Sequence, residues 1–154
     1  MRTALRIGVV GLGRMGKIRL ETIEAHPDTV AVVAHDPANR SADGPLKVDD
    51  DLDTLLDHDI DAVFVCTPNR VTPDVICAAL DAGKHVFSEK PPGRTVEDIE
   101  RIMEAEARNP GLTLKFGFNH RHHLGIIEAK SIIDSQRYGR VLWARGVYGK
   151  GERL

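Results

Sequence analysis

The feature that most constrains this chain is a glycine pattern, Gly11-x-Gly13-x-x-Gly16, between an apolar segment and an amphipathic one. Leu5–Val10 predicts a buried strand, and the stretch that follows from Lys17 predicts a helix. Gly11 would make a tight turn, Gly13 would let the backbone approach a pyrophosphate, and Gly16 would let helix and strand pack closely. The helix N-terminus would offer N–H groups and partial positive charge to phosphates. Together these features predict a dinucleotide-binding unit.

An acidic residue completes this pattern after the next strand. Thr29–His35 is apolar and predicts a second buried strand, and Asp36 comes directly after it. A carboxylate about twenty residues past the glycines is where the adenosine ribose is held. Asp36 would repel a 2′-phosphate and so favours NAD, with NADP as the alternative because the nearby Arg40 accommodates such a phosphate or stacks on adenine. Asp36-Pro37 also opens ordinary turns, and that interpretation stays open.

Strand and helix patterns alternate along the chain, which predicts an α/β fold with a doubly wound, mostly parallel sheet. The predicted strands are about Leu5–Val10, Val30–His35, Ile60–Cys66, His85–Ser88 and Leu112–Phe118. The predicted helices are about Arg14–Ala25, Asp50–Leu56, Thr72–Ala82, Thr95–Arg108 and Ile126–Ser135.

The last segment, Arg140–Tyr148, has a different pattern, because its apolar and polar residues partly alternate. Such alternation is typical of a sheet with one covered face. We therefore expect a Rossmann dinucleotide-binding domain over residues 1–139, and from 140 to 154 the first strand of a truncated second domain.

Composition argues against several other classes of protein. With 154 residues the chain fits one domain of ordinary size, and a formal net charge of -2 gives no indication of nucleic-acid or membrane binding. No apolar run reaches membrane-spanning length. The N-terminus enters the first predicted strand at once and leaves no room for a signal peptide. Cys66 and Cys77 are expected as core residues rather than a disulfide, and a cytoplasmic location is expected.

Two polar segments follow predicted strands, at the edge where open α/β sheets bind their ligands. Cys66-Thr-Pro-Asn69 suits a loop that passes close to a cofactor, or is ordinary turn chemistry. In Ser88-Glu-Lys-Pro-Pro92, a Glu and a Lys at a strand end would help to transfer a proton or hold an alcohol oxygen. The alternative is a surface ion pair between these two residues. Lys90-Pro91 is also a candidate for a cis peptide bond.

A third segment, Gly117-Phe-Asn-His-Arg-His-His123, is rich in histidine. No second ligand cluster accompanies it, so a polar patch that contacts nicotinamide or a polyol is preferred to a zinc site. The acidic run Asp49–Asp51 is likewise expected as the solvated entry to a helix. No metal site is expected.

These segments, taken in order, resemble the Gfo/Idh/MocA family, whose members are NAD(P)-dependent oxidoreductases acting mostly on sugars, inositols and related polyols. The matching segments are Gly11-Leu-Gly-Arg-Met-Gly16, Cys66-Thr-Pro-Asn69, Gly83-Lys-His-Val-Phe-Ser-Glu-Lys-Pro91 and Gly117-Phe-Asn-His-Arg121. The Glu-Lys-Pro element is the specific part. The resemblance covers essentially the whole chain, but only the N-terminal half of such a protein.

The resemblance implies roles for individual residues. The implied cofactor-binding residues are Gly11, Gly13, Arg14, Met15, Gly16, Asp36, Thr67, Pro68, Asn69, Glu89, Lys90 and Arg121. Among them, Glu89 would lie near the nicotinamide ribose. Lys90 matches the family's active-site lysine, which contacts the substrate hydroxyl and assists proton transfer. His120, the second implied catalytic residue, and Arg121 would lie near the nicotinamide and the substrate.

In this family a second α/β domain closes over the nicotinamide and supplies most of the substrate pocket. The chain is therefore expected to be the cofactor-binding half of a sugar or polyol dehydrogenase, with little or no turnover alone. The alternative is a non-catalytic NAD(H)-binding module that pairs with another chain. A weaker hypothesis is binding of another nucleotide, such as the adenosine of S-adenosylmethionine. A homo-oligomer through Val141–Tyr148 is also expected, because an uncovered apolar edge strand favours pairing.

Overall fold

A computed structural model describes residues 4–38, 46–147 and 149 of the chain. The chain divides into two compact units, of which the first ends at Gly117 and the second begins at Phe118. The expected domain boundary after residue 139 stays a prediction.

The first unit is built on a parallel sheet in which the chain adds strands first on one side of β1 and then on the other. Its strands are β1 (Leu5–Val10), β2 (Thr29–His35), β3 (Lys47–Asp49), β4 (Ala62–Val65), β5 (His85–Ser88) and β6 (Leu114–Phe116). They form a 6-stranded sheet in the order β3-β2-β1-β4-β5-β6, with every described pair parallel. The winding direction reverses between β1 and β4, which is where sheets of this kind open a crevice for ligands. The predicted doubly wound α/β fold is confirmed.

Helices cover the two faces of this sheet. They are α1 (Arg14–Ala25), α2 (Leu52–Leu56), α3 (Thr72–Asp81) and α4 (Val96–Arg108). The buried apolar side chains form two clusters, because successive strand residues lie on opposite faces. In β1, Ile7 and Val9 belong to the cluster with Ile23 of α1, whereas Val10 belongs to the cluster that contains Ile76 of α3. Burial on both faces explains why the central strands are almost continuously apolar.

The predicted set of strands is wrong in one place, because it omits β3. This edge strand has three residues, Lys47–Asp49, which is too short for a periodic pattern to show. Several boundaries also differ: the strand expected at Ile60–Cys66 is Ala62–Val65, and the helix expected at Ile126–Ser135 is Leu124–Asp134. The strand expected at Leu112–Phe118 is confined to β6, and α2 begins at Leu52 because Asp51 is its N-cap and accepts a hydrogen bond from the Thr54 N–H at 2.7 Å.

The second unit contains a short 3-10 helix, Asn119–His122, and the helix α5, Leu124–Asp134. The predicted strand over Arg140–Tyr148 is not found: residues 141–147 form no strand, and Tyr148 lies outside the described residues. A strand needs a hydrogen-bonded neighbour, and no described strand pairs with this segment. Trp143 there is 76% exposed.

Within the described residues, no helix is both long and apolar enough to cross a membrane. The cytoplasmic location stays a prediction.

Candidate functional site

The turn between β1 and α1 leaves no room for side chains at two of its glycines. Gly11 has a φ of +95°, and a Cβ atom there would lie 2.7 Å from the carbonyl oxygen of Cys66. A Cβ atom on Gly16 would lie only 1.9 Å from the carbonyl oxygen of Gly11. The packing of the turn against α1 and the loop after β4 therefore requires both glycines.

Gly13 is a glycine for a different reason. A Cβ atom at this position would have nothing within 4 Å, and its φ of -65° is accessible to any residue. Gly13 is the N-cap of α1, where no side chain caps the helix and no acidic residue lies in the first turn. By contrast, α2, α4 and α5 are capped by Asp51, Thr95 and His123. Space at Gly13 and a helix N-terminus without a side-chain cap fit the diphosphate of a dinucleotide.

Asp36 lies against this turn at the end of β2. Its Oδ2 accepts the N–H of Leu12 at 2.7 Å, and its Oδ1 accepts the N–H of Ala38 at 2.8 Å. The carboxylate thus closes a turn of its own, as the turn interpretation expects, and also contacts the glycine turn. Its role in binding a ribose stays a prediction. Arg40 lies outside the described residues.

The loop after β4 is held by Thr72, a buried residue at the start of α3. The hydroxyl oxygens of Thr67 and Thr72 lie 2.9 Å apart, and the Thr72 hydroxyl also lies 3.2 Å from the carbonyl oxygens of Thr67 and Pro68. Pro68 and Asn69 are exposed beyond this anchor. Analysis of the sequence missed Thr72, which fixes the loop that Thr67, Pro68 and Asn69 form.

Glu89, directly after β5, forms an ion pair with Arg19 of α1. Nε of Arg19 donates to Oε1 of Glu89 at 2.8 Å, and Nη2 donates to the same oxygen. The guanidinium lies over the ring of Phe87, with Cζ 5.0 Å from the ring centroid. The alternative of an ion pair between Glu89 and its neighbour Lys90 is not found in the described residues. Lys90 is exposed and has no ion pair among the described residues, and the Lys90–Pro91 bond is cis.

Cys66 carries a half-buried thiol whose pKa is affected by the charges of this pair. Burial, followed by the negative charge of Glu89, raises the pKa of Cys66 to about 12. The thiol therefore stays protonated at neutral pH and is a poor nucleophile. This agrees with its expected role as a core residue, and the structure records both Cys66 and Cys77 as free cysteines.

His120 and Arg121 belong to the second unit, where both are exposed in the 3-10 helix. His123 has a structural role there, because its Nδ1 accepts the Gly125 N–H at 3.3 Å. In the first unit, the buried Asp49 binds Nζ of Lys47 at 2.6 Å and Nε2 of His58 at 2.8 Å. No group of three or more His, Cys, Asp or Glu side chains in the described part of the chain is arranged to hold a metal ion.

A parallel sheet of this order, with a glycine turn at its switch point and a carboxylate after the second strand, defines a dinucleotide-binding Rossmann domain. Residues 5–118 match the Gfo/Idh/MocA oxidoreductase family, described as having an NAD-binding Rossmann fold. The chain belongs to this family, and its Rossmann domain is of the NAD-binding kind.

Several relatives are named as dehydrogenases of inositols, and one as a dehydrogenase of a cyclic diol. Inositol 2-dehydrogenase of Salmonella typhimurium is 33% identical in an alignment 151 residues long, which covers 92% of this chain and 45% of that protein. The 1-carboxy-3-chloro-3,4-dihydroxycyclo hexa-1,5-diene dehydrogenase of Comamonas testosteroni is 39% identical in an alignment 144 residues long, which covers 89% of this chain and 36% of that enzyme.

Solved structures give the same picture. Scyllo-inositol dehydrogenase from Lactobacillus casei, with bound NAD(H) and scyllo-inositol, has a TM-score of 0.79 and 36% identity, covering 88% of this chain and 42% of that one. Myo-inositol dehydrogenase from the same organism, in complex with NAD(H) and myo-inositol, has a TM-score of 0.83 and 30% identity, covering 88% and 43%. The chain thus spans less than half the length of these relatives.

Proposed function

We propose that this chain is the cofactor-binding half of a dehydrogenase that transfers a hydride between NAD and a hydroxyl-bearing carbon of an inositol-like or sugar polyol. The observation that carries the proposal is the assembly of the glycine turn, Asp36 and Glu89 at one edge of the sheet, the edge where this fold binds its ligand. The names of the relatives support the substrate class.

Different residues of the first unit bind different parts of the dinucleotide. N–H groups of the glycine turn and of the first turn of α1, including those of Arg14 and Met15, bind the diphosphate. Asp36, which follows β2, binds hydroxyls of the adenosine ribose through its carboxylate. The loop of Thr67, Pro68 and Asn69 lines the middle of the cofactor. Glu89 accepts a hydrogen bond from the nicotinamide ribose.

NAD, when bound, supplies a nicotinamide ring that accepts a hydride from an alcohol carbon or returns it. Lys90 contacts the reacting hydroxyl and assists the movement of its proton. The roles that the family resemblance implies for His120 and Arg121 stay predictions. This transfer requires the carbon to be held close to the ring, and such orientation is a large share of catalysis. We place most of that pocket in a second domain that starts at about residue 140, with residues 1–139 as the NAD-binding domain.

Calorimetric titration of the chain with NADH and NADPH tests the proposal. We expect NADH to bind more tightly than NADPH, and Asp36→Ala to weaken NADH binding about tenfold, the loss of about one charge-assisted hydrogen bond. Asp81→Ala is the matched control, since Asp81 lies at the far end of α3 and contacts Arg108. Failure of the wild-type chain to bind either dinucleotide would overturn the proposal.

The alternative is a non-catalytic NAD(H)-binding module that pairs with another chain. The exposed apolar side chains of α5, such as Leu124 at 81% and Ile126 at 54%, favour a further partner for the second unit. The two functions differ in turnover: a dehydrogenase reduces NAD⁺ when the complete protein is given inositols or sugars, and a module does not. Self-association through Val141–Tyr148 stays a prediction, to be checked by light scattering.

A further inference from the structure

The ion pair between Arg19 and Glu89 joins two parts of the fold that are 70 residues apart in sequence. Arg19 lies on α1, six residues after the Gly13 N-cap, which is about 9 Å along the helix axis. Glu89 lies at the end of β5. Both side chains are largely shielded, with 22% and 12% of their surface exposed. The pair therefore connects the helix that begins at the glycine turn to the strand that leads into Lys90.

The two oxygens of the Glu89 carboxylate have different environments. Oε1 accepts both hydrogen bonds from Arg19, through Nε and Nη2. Oε2 accepts no hydrogen bond from the described residues. It is also not sealed from solvent, because every buried side-chain oxygen and nitrogen in the described part of the chain has a partner. One oxygen is thus anchored by the protein and the other remains available to a ligand.

Neighbouring residues keep this arrangement in place. The Phe87 ring supports the guanidinium from one side through a cation–π contact. Gly117 leaves space beside the carboxylate, since a Cβ atom there would lie 3.3 Å from Oε2. No other cation is recorded in an ion pair with Glu89 in the described residues. Among the described residues, Arg19 is therefore the cation that orients the Glu89 carboxylate.

Electrostatics gives Arg19 a second effect at the same place. A dinucleotide brings a negatively charged diphosphate to the N-terminus of α1, and a bare carboxylate nearby would oppose its binding. With Arg19 bound to Oε1, the pair is neutral in sum. Glu89 can then accept a hydroxyl without adding net repulsion.

We propose that Arg19 is a positioning residue, which holds Glu89 by Oε1 so that Oε2 accepts a hydroxyl of the nicotinamide-side ribose. This inference rests on the proposed function. It assigns to α1 a role in the nicotinamide half of the site, in addition to the diphosphate site at its N-terminus.

The test compares two ligands, NADH and AMP, by calorimetry on the 154-residue chain. AMP has the adenosine half only and reports whether the glycine turn and Asp36 are intact. We expect Arg19→Gln to weaken NADH binding about tenfold and to leave AMP affinity within about twofold. Arg101→Gln removes the exposed ion pair with Asp74 and should change neither affinity. Arg19→Lys keeps the positive charge but removes the two-nitrogen guanidinium contact, and should give an intermediate loss of NADH affinity. This variant provides the test if Arg19→Gln does not fold.

A double-mutant cycle with Glu89→Gln separates positioning from general structural damage. If Arg19 acts through Glu89, Arg19→Gln has no further effect on NADH binding in the Glu89→Gln background. Three results would overturn the inference: unchanged NADH affinity in the Arg19 variants, equal losses for NADH and AMP, or a full loss that persists without Glu89. A wild-type chain that binds neither ligand removes the proposed function and this inference with it. Wild-type binding of both ligands with unaffected Arg19 variants removes the inference alone.

Discussion

Helices α1 and α4 both begin at the carboxyl edge of the same parallel sheet, yet their N-termini are built in opposite ways. In α4, Thr95 and Asp98 form a capping box, in which each side chain accepts a backbone N–H of the other residue. In α1 the N-cap is Gly13, and no side chain caps the helix. The four free N–H groups of a helix start need partners, from the chain itself or from a ligand. The difference indicates that the N-terminus of α4 stabilises the fold, whereas the N-terminus of α1 is left open to a ligand.

Of the changes at the two helix starts, a side chain at Gly16 should have the largest effect on stability. Gly16→Ala would place a Cβ atom 1.9 Å from the Gly11 carbonyl oxygen, and backbone cannot move aside as a flexible side chain does. We expect a loss of about 3 kcal/mol in the free energy of unfolding. Chemical denaturation measures it. Gly13→Ser is the control, because its Cβ atom meets open space. Equal stability of the two variants would contradict the close approach between α1 and the turn.

Much of the candidate site at the carboxyl edge of the sheet could be predicted from local patterns, because several of its residues lie close together in sequence. The glycine turn, β1 and Asp36 lie within about one βαβ unit, and the periodicity of strands and helices is local as well. The pair of Arg19 and Glu89 could not be predicted, because no short-range pattern marks partners that only the fold brings together. The strand expected at 140–148 failed for a related reason: alternation predicts a covered face but does not supply a neighbouring strand.

Converting the α1 start into a capped one should separate binding from stability. Gly13→Ser gives α1 a side-chain cap and should change the free energy of unfolding by only a few tenths of a kcal/mol. The same side chain would occupy the space left for the diphosphate, so NADH binding should weaken about tenfold. Thr95→Ala is the mirror experiment on α4, with about 1 kcal/mol of stability lost and NADH affinity unchanged.

Chemical denaturation and NADH titration of both variants check that Gly13→Ser loses binding and that Thr95→Ala loses stability. If Gly13→Ser bound NADH as tightly as the wild type, the missing cap on α1 would have no connection with a ligand. If Thr95→Ala weakened NADH binding, the two helix starts would not be independent.

The smallest effect concerns pH and the capping box of α4. Hydrogen bonds from the backbone N–H of Arg94, and then of Thr95, lower the pKa of Asp98 below its usual value of 3.8. A carboxyl whose pKa is lower in the folded state stabilises the protein above its unfolded pKa, and this contribution disappears as the pH falls through the folded value. Asp98→Asn should therefore be less stable than the wild type near pH 6, with a difference that shrinks below about pH 3.8.

Urea denaturation of the wild type and Asp98→Asn across this range measures the difference. Asp98 is exposed enough that solvent screens its interactions, so the change should be smaller than that of Thr95→Ala. No corresponding titration is expected from the first turn of α1, which has no acidic residue. A stability difference independent of pH would show that Asp98 acts in the box by geometry and not by its charge. The contrast between the two helix starts would then depend on hydrogen bonding alone.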